Sequence, residues 1–129
     1  MPDYIDIKLL NRAVSHRVAG EDHWSLKLLD MRVGSYSIHP QARFALTDTG
    51  TSLIYLDGGD YHNLIEGICQ DQLGCFESPH EADVYAIKNC VPSQLPTIWI
   101  QIDLHDYKLA PQAYILSLVY PDESHDCLI

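Results

Sequence analysis

The apolar residues of this chain occur in short alternating runs, and this spacing restricts the fold more than any other feature. In residues 24–28, and again in residues 98–102, every second residue is apolar, which is typical of a β-strand with one buried face. The phase shifts after Leu28, which indicates a bulge or a hairpin arm, and Gly34-Ser35 supplies a turn. We therefore expect a mainly β domain of short antiparallel strands with one or two short helices.

The other expected elements follow from the same kind of spacing. From Asp60 to Cys69 apolar residues recur at three- and four-residue steps, which predicts a short helix with Asp60 as its N-cap. His105-Asp106 is expected to be the turn of a hairpin. We expect a helical turn at 110–113 and strands at 4–10, 44–46, 53–56, 84–87 and 114–119.

The length and charge of the chain limit its possible functions. A chain of 129 residues can bury one modest core, so we expect a single domain over residues 1–129. Eighteen acidic against eight basic residues give a net charge of -10, which argues against a nucleic-acid partner because phosphate backbones require a basic face. No apolar run has the length of a membrane span or of a secretory signal, and no phosphate-cradling loop suggests a cofactor.

One acidic residue lies among small hydroxyl residues between two apolar stretches. Asp48-Thr49-Gly50-Thr51-Ser52 follows Phe44–Leu46 and precedes Leu53-Ile54. We expect the apolar flanks to bury the backbone, while Gly50 allows a turn with its amide directed inward and the hydroxyl groups orient the carboxylate. Taken alone, the tripeptide Asp-Thr-Gly also suits a polar hairpin turn.

The longer segment 48–54 resembles the second catalytic motif of the pepsin-like aspartic proteases. Residues 95–102 and 107–116 also resemble the C-terminal lobe of that family, and residues 23–28 are similar to the strand that leads toward its active loop. The resemblance implies a pepsin-like lobe, a partial barrel or sandwich of short antiparallel strands, that cleaves polypeptides at acid pH without a cofactor. It implies a lysosomal, vacuolar or secreted parent protein.

The resemblance also implies a role for each residue of the motif. Asp48 would be one of two catalytic aspartates, and Thr49 would brace the loop by a hydrogen bond to its counterpart. The Gly50 amide would contact the carboxylate, and the Thr51 hydroxyl would bond its outer oxygen. Because hydrolysis by carboxylates needs an ionised and a protonated group together, one Asp-Thr-Gly supplies half of a catalytic centre.

The sequence departs from the family pattern in what it lacks. The first lobe with its own Asp-Thr-Gly is absent, and the chain ends at Cys127-Leu128-Ile129 before the apolar-apolar-Gly-Asp segment that lies beside the active loop in the family. We therefore expect an incomplete C-terminal lobe that is inactive alone, with a missing N-terminal lobe as the partner that carries the second aspartate.

Four cysteines allow three disulfide pairings. A zinc site is disfavoured because no Cys-x-x-Cys occurs, and four reduced thiols remain an alternative. The family resemblance implies that Cys90 pairs with Cys127, which leaves Cys69 with Cys75. Such bonds would indicate maturation in an oxidising compartment.

Three other functions fit parts of the sequence. A single-lobe protease could obtain its second aspartate from an identical chain by two-fold symmetry. A binding or inhibitory module could keep the lobe without its chemistry. Metal binding is the weakest alternative, because the seven histidines are scattered without a pair at helical ligand spacing, and we expect no metal site.

Overall fold

The described part of the chain folds mainly into β-structure. A computed structural model describes residues 14–19, 24–50, 54–70, 75–77 and 84–129, and these residues form two antiparallel sheets with short helices. The predicted mainly β fold is confirmed. The strand predicted at 4–10 lies outside the described residues.

The larger sheet is built around the long strand β1, Ser25–Val33. The other strands of this sheet are β2 (Tyr36–Ser37), β3 (Phe44–Leu46), β6 (Ile98–Ile102) and β7 (His105–Leu109). Their order is β2-β1-β6-β7, and β3 pairs with the first residues of β1. Because β1 is longer than its neighbours, it connects the segment before residue 48 to the centre of the sheet.

The predicted change of phase in β1 is a β-bulge. The pairing register between β1 and β6 shifts between Leu28 and Asp30, so that Leu28, Met31 and Val33 all face the core, while Leu29 is exposed. Gly34 then turns the chain with a φ of 60°, a conformation that is strained for residues with a Cβ.

The turn between β6 and β7 lies two residues earlier than expected. Ile102 is paired with His105, so Asp103 and Leu104 form the turn, and the prediction of a turn at His105-Asp106 is wrong. Asp103 has a φ of 51°, which Asp tolerates better than most residues. The chain can therefore reverse at this position without a glycine.

The smaller sheet contains four strands: β4 (Cys75–Glu77), β5 (Tyr85–Lys88), β8 (Leu116–Val119) and β9 (His125–Leu128). Their order in the sheet is β4-β5-β9-β8. In the chain, a 3-10 turn (Pro92–Gln94) and the short helix α2 (Pro111–Tyr114) lie between β5 and β8. The strands predicted at 84–87 and 114–119 and the helical turn at 110–113 are confirmed with boundaries shifted by one or two residues.

The longest described helix is α1, Gly58–Cys69, and its N-cap is Asp57. The Asp57 carboxylate accepts a hydrogen bond from the Gly59 amide at 3.0 Å. The prediction that Asp60 is the N-cap is wrong, because Gly58 and Gly59 adopt the helical conformation and move the N-cap three residues earlier, to Asp57. Asp60 is instead fully buried in the first turn.

One apolar cluster joins both sheets to α1. It contains Met31 and Ile98 from the larger sheet, Ile87 from the smaller sheet and Leu64 and Ile68 from the helix. Burying these side chains supplies the main driving force for bringing the layers together.

Two disulfides fix the smaller sheet. Cys69 at the end of α1 is bonded to Cys75 at the start of β4, and Cys90 after β5 is bonded to Cys127 in β9. These are the two pairs that the family resemblance implies. The described part of the chain contains no free cysteine.

Candidate active site

Strand β3 delivers the chain to Asp48. Its three residues pair with β1, with Leu46 opposite Ser25. Both the amide and the hydroxyl group of Thr47 donate to the carbonyl oxygen of Trp24, each at 3.3 Å. The backbone is therefore held to the larger sheet up to the residue before Asp48.

The loop that follows is closed by a contact between Asp48 and Gly50. The Gly50 amide donates to Asp48 Oδ1 at 2.7 Å. A Cβ added at Gly50 would lie 3.1 Å from the same oxygen, which is tight for a carbon and a carboxylate oxygen. The absence of a side chain at Gly50 thus allows its amide to approach the carboxylate.

The structure describes no side-chain contact for the other two motif residues, Thr49 and Thr51. Thr49 is exposed, and among the described residues its side chain has no hydrogen-bond partner. Thr51 lies outside the described residues. Asp48 is exposed, and within the described part of the chain its Oδ2 accepts no hydrogen bond and its carboxylate has no ion pair.

The surroundings of Asp48 are exposed and apolar, which corrects one expectation. Asp48 itself is exposed, and Trp24, Leu46 and Ile54 keep 73%, 58% and 51% of their surface accessible. The expected burial is wrong for residues 48–50, for Phe44 and for Leu46, whereas Ala45 is partly buried and packs against the core. Strand β3 itself forms as predicted. No described element covers the outer face of β3.

The strand predicted at 53–56 is also wrong for its described part. Residues 54–57 have no regular secondary structure, and Leu53 lies outside the described residues. Asp57-Gly58-Gly59 begins α1 immediately afterwards, so few residues remain for a strand on this side of the loop. We call residues 47–50 the acid loop. The exposed apolar residues next to it in the chain or in the sheet, Trp24, Leu46, Ile54 and Tyr55, are called its apolar rim.

Asp60, a buried acid that the sequence predicts only as a helix N-cap, contacts the chain just before β3. The Asp60 carboxylate accepts from the amides of Gln41 and Ala42 at 2.7 and 2.9 Å. An acid in the first turn of a helix is common for electrostatic reasons, so the sequence gives no signal that this one binds a segment 18 to 19 residues away.

The comparison with protein families identifies the family of the chain. The model of the family described as eukaryotic aspartyl protease matches residues 5–129. The chain belongs to this family. No curated protein matches the chain.

Family membership supports the general chemistry expected from the sequence. Eukaryotic aspartyl proteases are hydrolases that act on peptide substrates, and they are typically secreted or lysosomal. The two sheets and the short helices are consistent with a pepsin-like lobe of this family. None of the helices in the described ranges has the length and apolar character needed to cross a bilayer.

A second polar cluster lies on the β6–β7 hairpin. His16 Nδ1 lies 2.9 Å from Asp103 Oδ2, and His16 Nε2 is hydrogen-bonded to the Tyr107 hydroxyl group. These contacts attach residues 14–19 to the hairpin. Across the described residues, no three His, Cys, Asp or Glu side chains are placed to hold a metal ion.

Proposed function

We propose that this chain is part of the C-terminal lobe of an aspartic endopeptidase and that it supplies one of the two catalytic carboxylates, Asp48. The observation that carries the proposal is the geometry of the acid loop. One carboxylate oxygen accepts from the Gly50 amide at 2.7 Å, and the other oxygen of the exposed Asp48 accepts no hydrogen bond from the described residues. An opposing acid from another polypeptide segment would approach that oxygen.

Two carboxylates that share one proton perform the reaction. The ionised carboxylate removes a proton from a water molecule, whose oxygen attacks the peptide carbonyl carbon. The protonated carboxyl group donates a hydrogen bond to the carbonyl oxygen. The tetrahedral intermediate collapses when the proton that the first carboxylate took from water is transferred to the amide nitrogen and the C–N bond breaks, which restores the pair of carboxyl groups. Titration of such a pair belongs to both groups together, so Asp48 is not assigned one role in it.

The second aspartate would come from an N-terminal lobe of the same protein. In the assembled site Thr49 would brace Asp48 against the corresponding loop, and the Thr51 hydroxyl would bond the outer carboxylate oxygen. Closing a second lobe over the acid loop would also exclude water, which strengthens the hydrogen bonds of the dyad.

The apolar rim suggests the substrate class and the disulfides suggest the compartment. Exposed Trp24, Leu46, Ile54 and Tyr55 would favour peptide bonds flanked by bulky apolar side chains.

The disulfides Cys69–Cys75 and Cys90–Cys127 would form on a route to an oxidising compartment. We infer that the parent protein is lysosomal, vacuolar or secreted.

The test uses the full-length gene product. Cleavage of an unfolded protein is measured at acid pH, with and without a statine-type inhibitor, for the wild type and for Asp48→Asn. The matched control is Asp122→Asn, because Asp122 is also exposed and also accepts from an amide two residues later, Ser124, at 3.0 Å. We expect inhibitable cleavage in the wild type and the control, and none in Asp48→Asn.

Two results would contradict the proposal. Full activity of folded Asp48→Asn would remove Asp48 from the chemistry. A folded wild type without inhibitable cleavage would favour a non-catalytic binding or inhibitory module. If the active species is a symmetric dimer of one lobe, its mass in solution will show two identical chains, and the second aspartate will be Asp48 of the other copy.

A further inference from the structure

Asp60 is a buried carboxylate with an unusual set of partners. Its side chain is fully inaccessible. Oδ1 accepts from the Gln41 amide at 2.7 Å and Oδ2 accepts from the Ala42 amide at 2.9 Å. Within the described residues no basic side chain pairs with it. Two backbone N–H groups and the first turn of α1 therefore provide the stabilisation that a buried charge requires.

The two hydrogen bonds close a loop in the chain around Asp48. They connect Asp60 to two residues that precede it by 18 and 19 positions. Asp48 lies in the segment between these two residues and Asp60. The segment that precedes β3 is therefore joined to the helix that follows the acid loop. A carboxylate with both oxygens engaged fixes the direction of the segment as well as its distance, because the two amides must point at two different atoms.

The tied segment is continuous with the strand that carries Asp48. The Arg43 carbonyl accepts from the Leu28 amide at 3.0 Å, and β3 begins at the next residue. On the other side, Asn63 Nδ2 donates to the Ile38 carbonyl at 3.4 Å, one turn of α1 after Asp60. Residues 41–42 are therefore joined to α1 by Asp60 and lead through Arg43 into β3, which is paired with β1. Asp60 and β1 together set where β3, and Asp48 after it, lies.

We propose that Asp60 is a positioning residue for Asp48: by binding the Gln41 and Ala42 amides, it joins the segment before β3 to the first turn of α1 and, together with the pairing of β3 to β1, sets the place of the Asp48 carboxylate. The inference rests on the proposed function, because a fixed place for Asp48 matters when a second carboxylate must share its proton. Asp60 contacts neither substrate nor the reacting atoms.

The test compares two buried aspartates in the full-length gene product. Asp60→Asn keeps the size of the side chain but directs an NH₂ group at one of the two amides. The matched control is Asp126→Asn, because Asp126 is also buried and also accepts from a backbone amide, that of Asn89 at 3.3 Å, but lies in β9 of the smaller sheet. Values of kcat and KM are measured across the acid pH range and normalised to folded protein.

We expect Asp60→Asn to lower kcat by roughly 10- to 100-fold, the range that a displacement of about 1 Å can cause, with KM changed less than about twofold, and to shift the limbs of the pH profile of the dyad. Asp126→Asn should lose stability without changing the pH profile. Identical kcat values and pH profiles in the two variants would overturn the inference. If Asp60→Asn does not fold, Asn63→Ala, which removes the second contact of α1 with this segment, is tested by the same measurements. We then expect a smaller decrease of kcat and a smaller shift of the pH profile. An unchanged kcat and pH profile in Asn63→Ala would contradict the inference.

A measurement without substrate separates this inference from the proposed function. If the wild type has no inhibitable cleavage, the proposed function fails, and amide hydrogen exchange of residues 41–50 then tests the positioning by Asp60. Faster exchange at Gln41, Ala42 and Gly50 in Asp60→Asn, but not in Asp126→Asn, supports it. Unchanged exchange at Gly50 overturns it.

Discussion

Gly67 in α1 lies directly against the side chain of Val33 in β1. A Cβ added at Gly67 would be 3.0 Å from Val33 Cγ2 and 3.2 Å from its Cβ. Val33 is buried and β-branched, so it has little freedom to move away. The glycine, which costs a helix stability, thus allows α1 to approach the sheet that carries β3.

Gly67→Ala should therefore destabilise the protein. Alanine favours the helix by about 1 kcal/mol over glycine, but overpacking of a core typically costs about 1–3 kcal/mol, so we expect a net loss of about 1 kcal/mol in the free energy of unfolding by urea. Gly58→Ala is the matched control, because its added Cβ meets nothing within 4 Å, and it should be neutral or stabilising. A stabilised Gly67→Ala would contradict the packing argument.

The two disulfides should contribute unequally. Cys90 and Cys127 are 37 residues apart, whereas Cys69 and Cys75 are 6 apart, and a longer closed loop restricts the unfolded chain more. Replacing both cysteines of a pair by alanine should cost about 4 kcal/mol for the long loop and about 2 kcal/mol for the short one. Urea unfolding of the two double variants checks the order, and equal losses would refute it.

Short-range patterns in the sequence predicted most of the secondary structure. Alternation located β1 and β6, including the bulge after Leu28, because the two-residue period is a local property. The start of α1 and the β6–β7 turn were misplaced because neither is marked by the spacing of apolar residues. Asp57 caps a helix that begins with two glycines, and Asp103 turns the chain at a φ of 51°.

The candidate site was predictable only in part. The motif located Asp48 and its contact with Gly50, since both lie within three residues. The exposure of Leu46 and the contact of Asp60 with the segment before β3 were not predictable, because they depend on which elements cover a surface and on contacts 18 to 19 residues apart. Local spacing carries no information on either.

The turn between β8 and β9 contains a carboxylate whose pKa can be tested directly. The Ser124 hydroxyl donates to Asp122 Oδ1 at 2.5 Å, and the Ser124 amide donates to the same oxygen. The hydroxyl hydrogen bond is the largest cause that lowers the pKa of Asp122, followed by the backbone hydrogen bond. A lowered pKa means that the stabilisation is present above the ordinary pKa and is lost as the pH falls through the lowered value.

Ser124→Ala should accordingly raise the pKa of Asp122 part of the way to its ordinary value. The backbone amide remains as a donor, so a smaller lowering should persist. An NMR titration of the Asp122 carboxyl carbon measures the change. Ser117→Ala on the neighbouring strand is the control and should leave the titration unaltered; an unaltered titration in Ser124→Ala would exclude the hydroxyl hydrogen bond as the cause.

Tyr114 connects α2 to the segment before β6 and should give the protein an alkaline limit of stability. Its hydroxyl group donates to the Pro96 carbonyl oxygen at 2.6 Å, and burial raises the pKa of Tyr114 from 10.0 to about 12. Because the folded pKa is raised, the stabilisation from the neutral phenol is complete below pH 10 and is lost as the pH rises toward 12.

Tyr114→Phe tests this limit. At neutral pH the variant should lose about 1 kcal/mol, the usual contribution of one hydrogen bond, and the difference from the wild type should shrink as the pH rises from about 10 to about 12, because the wild type loses the neutral phenol. Exposed Tyr36 provides the control Tyr36→Phe, which should match the wild type at neutral pH. A difference between Tyr114→Phe and the wild type that stays constant through this alkaline range would show that the Tyr114 phenol does not set the limit.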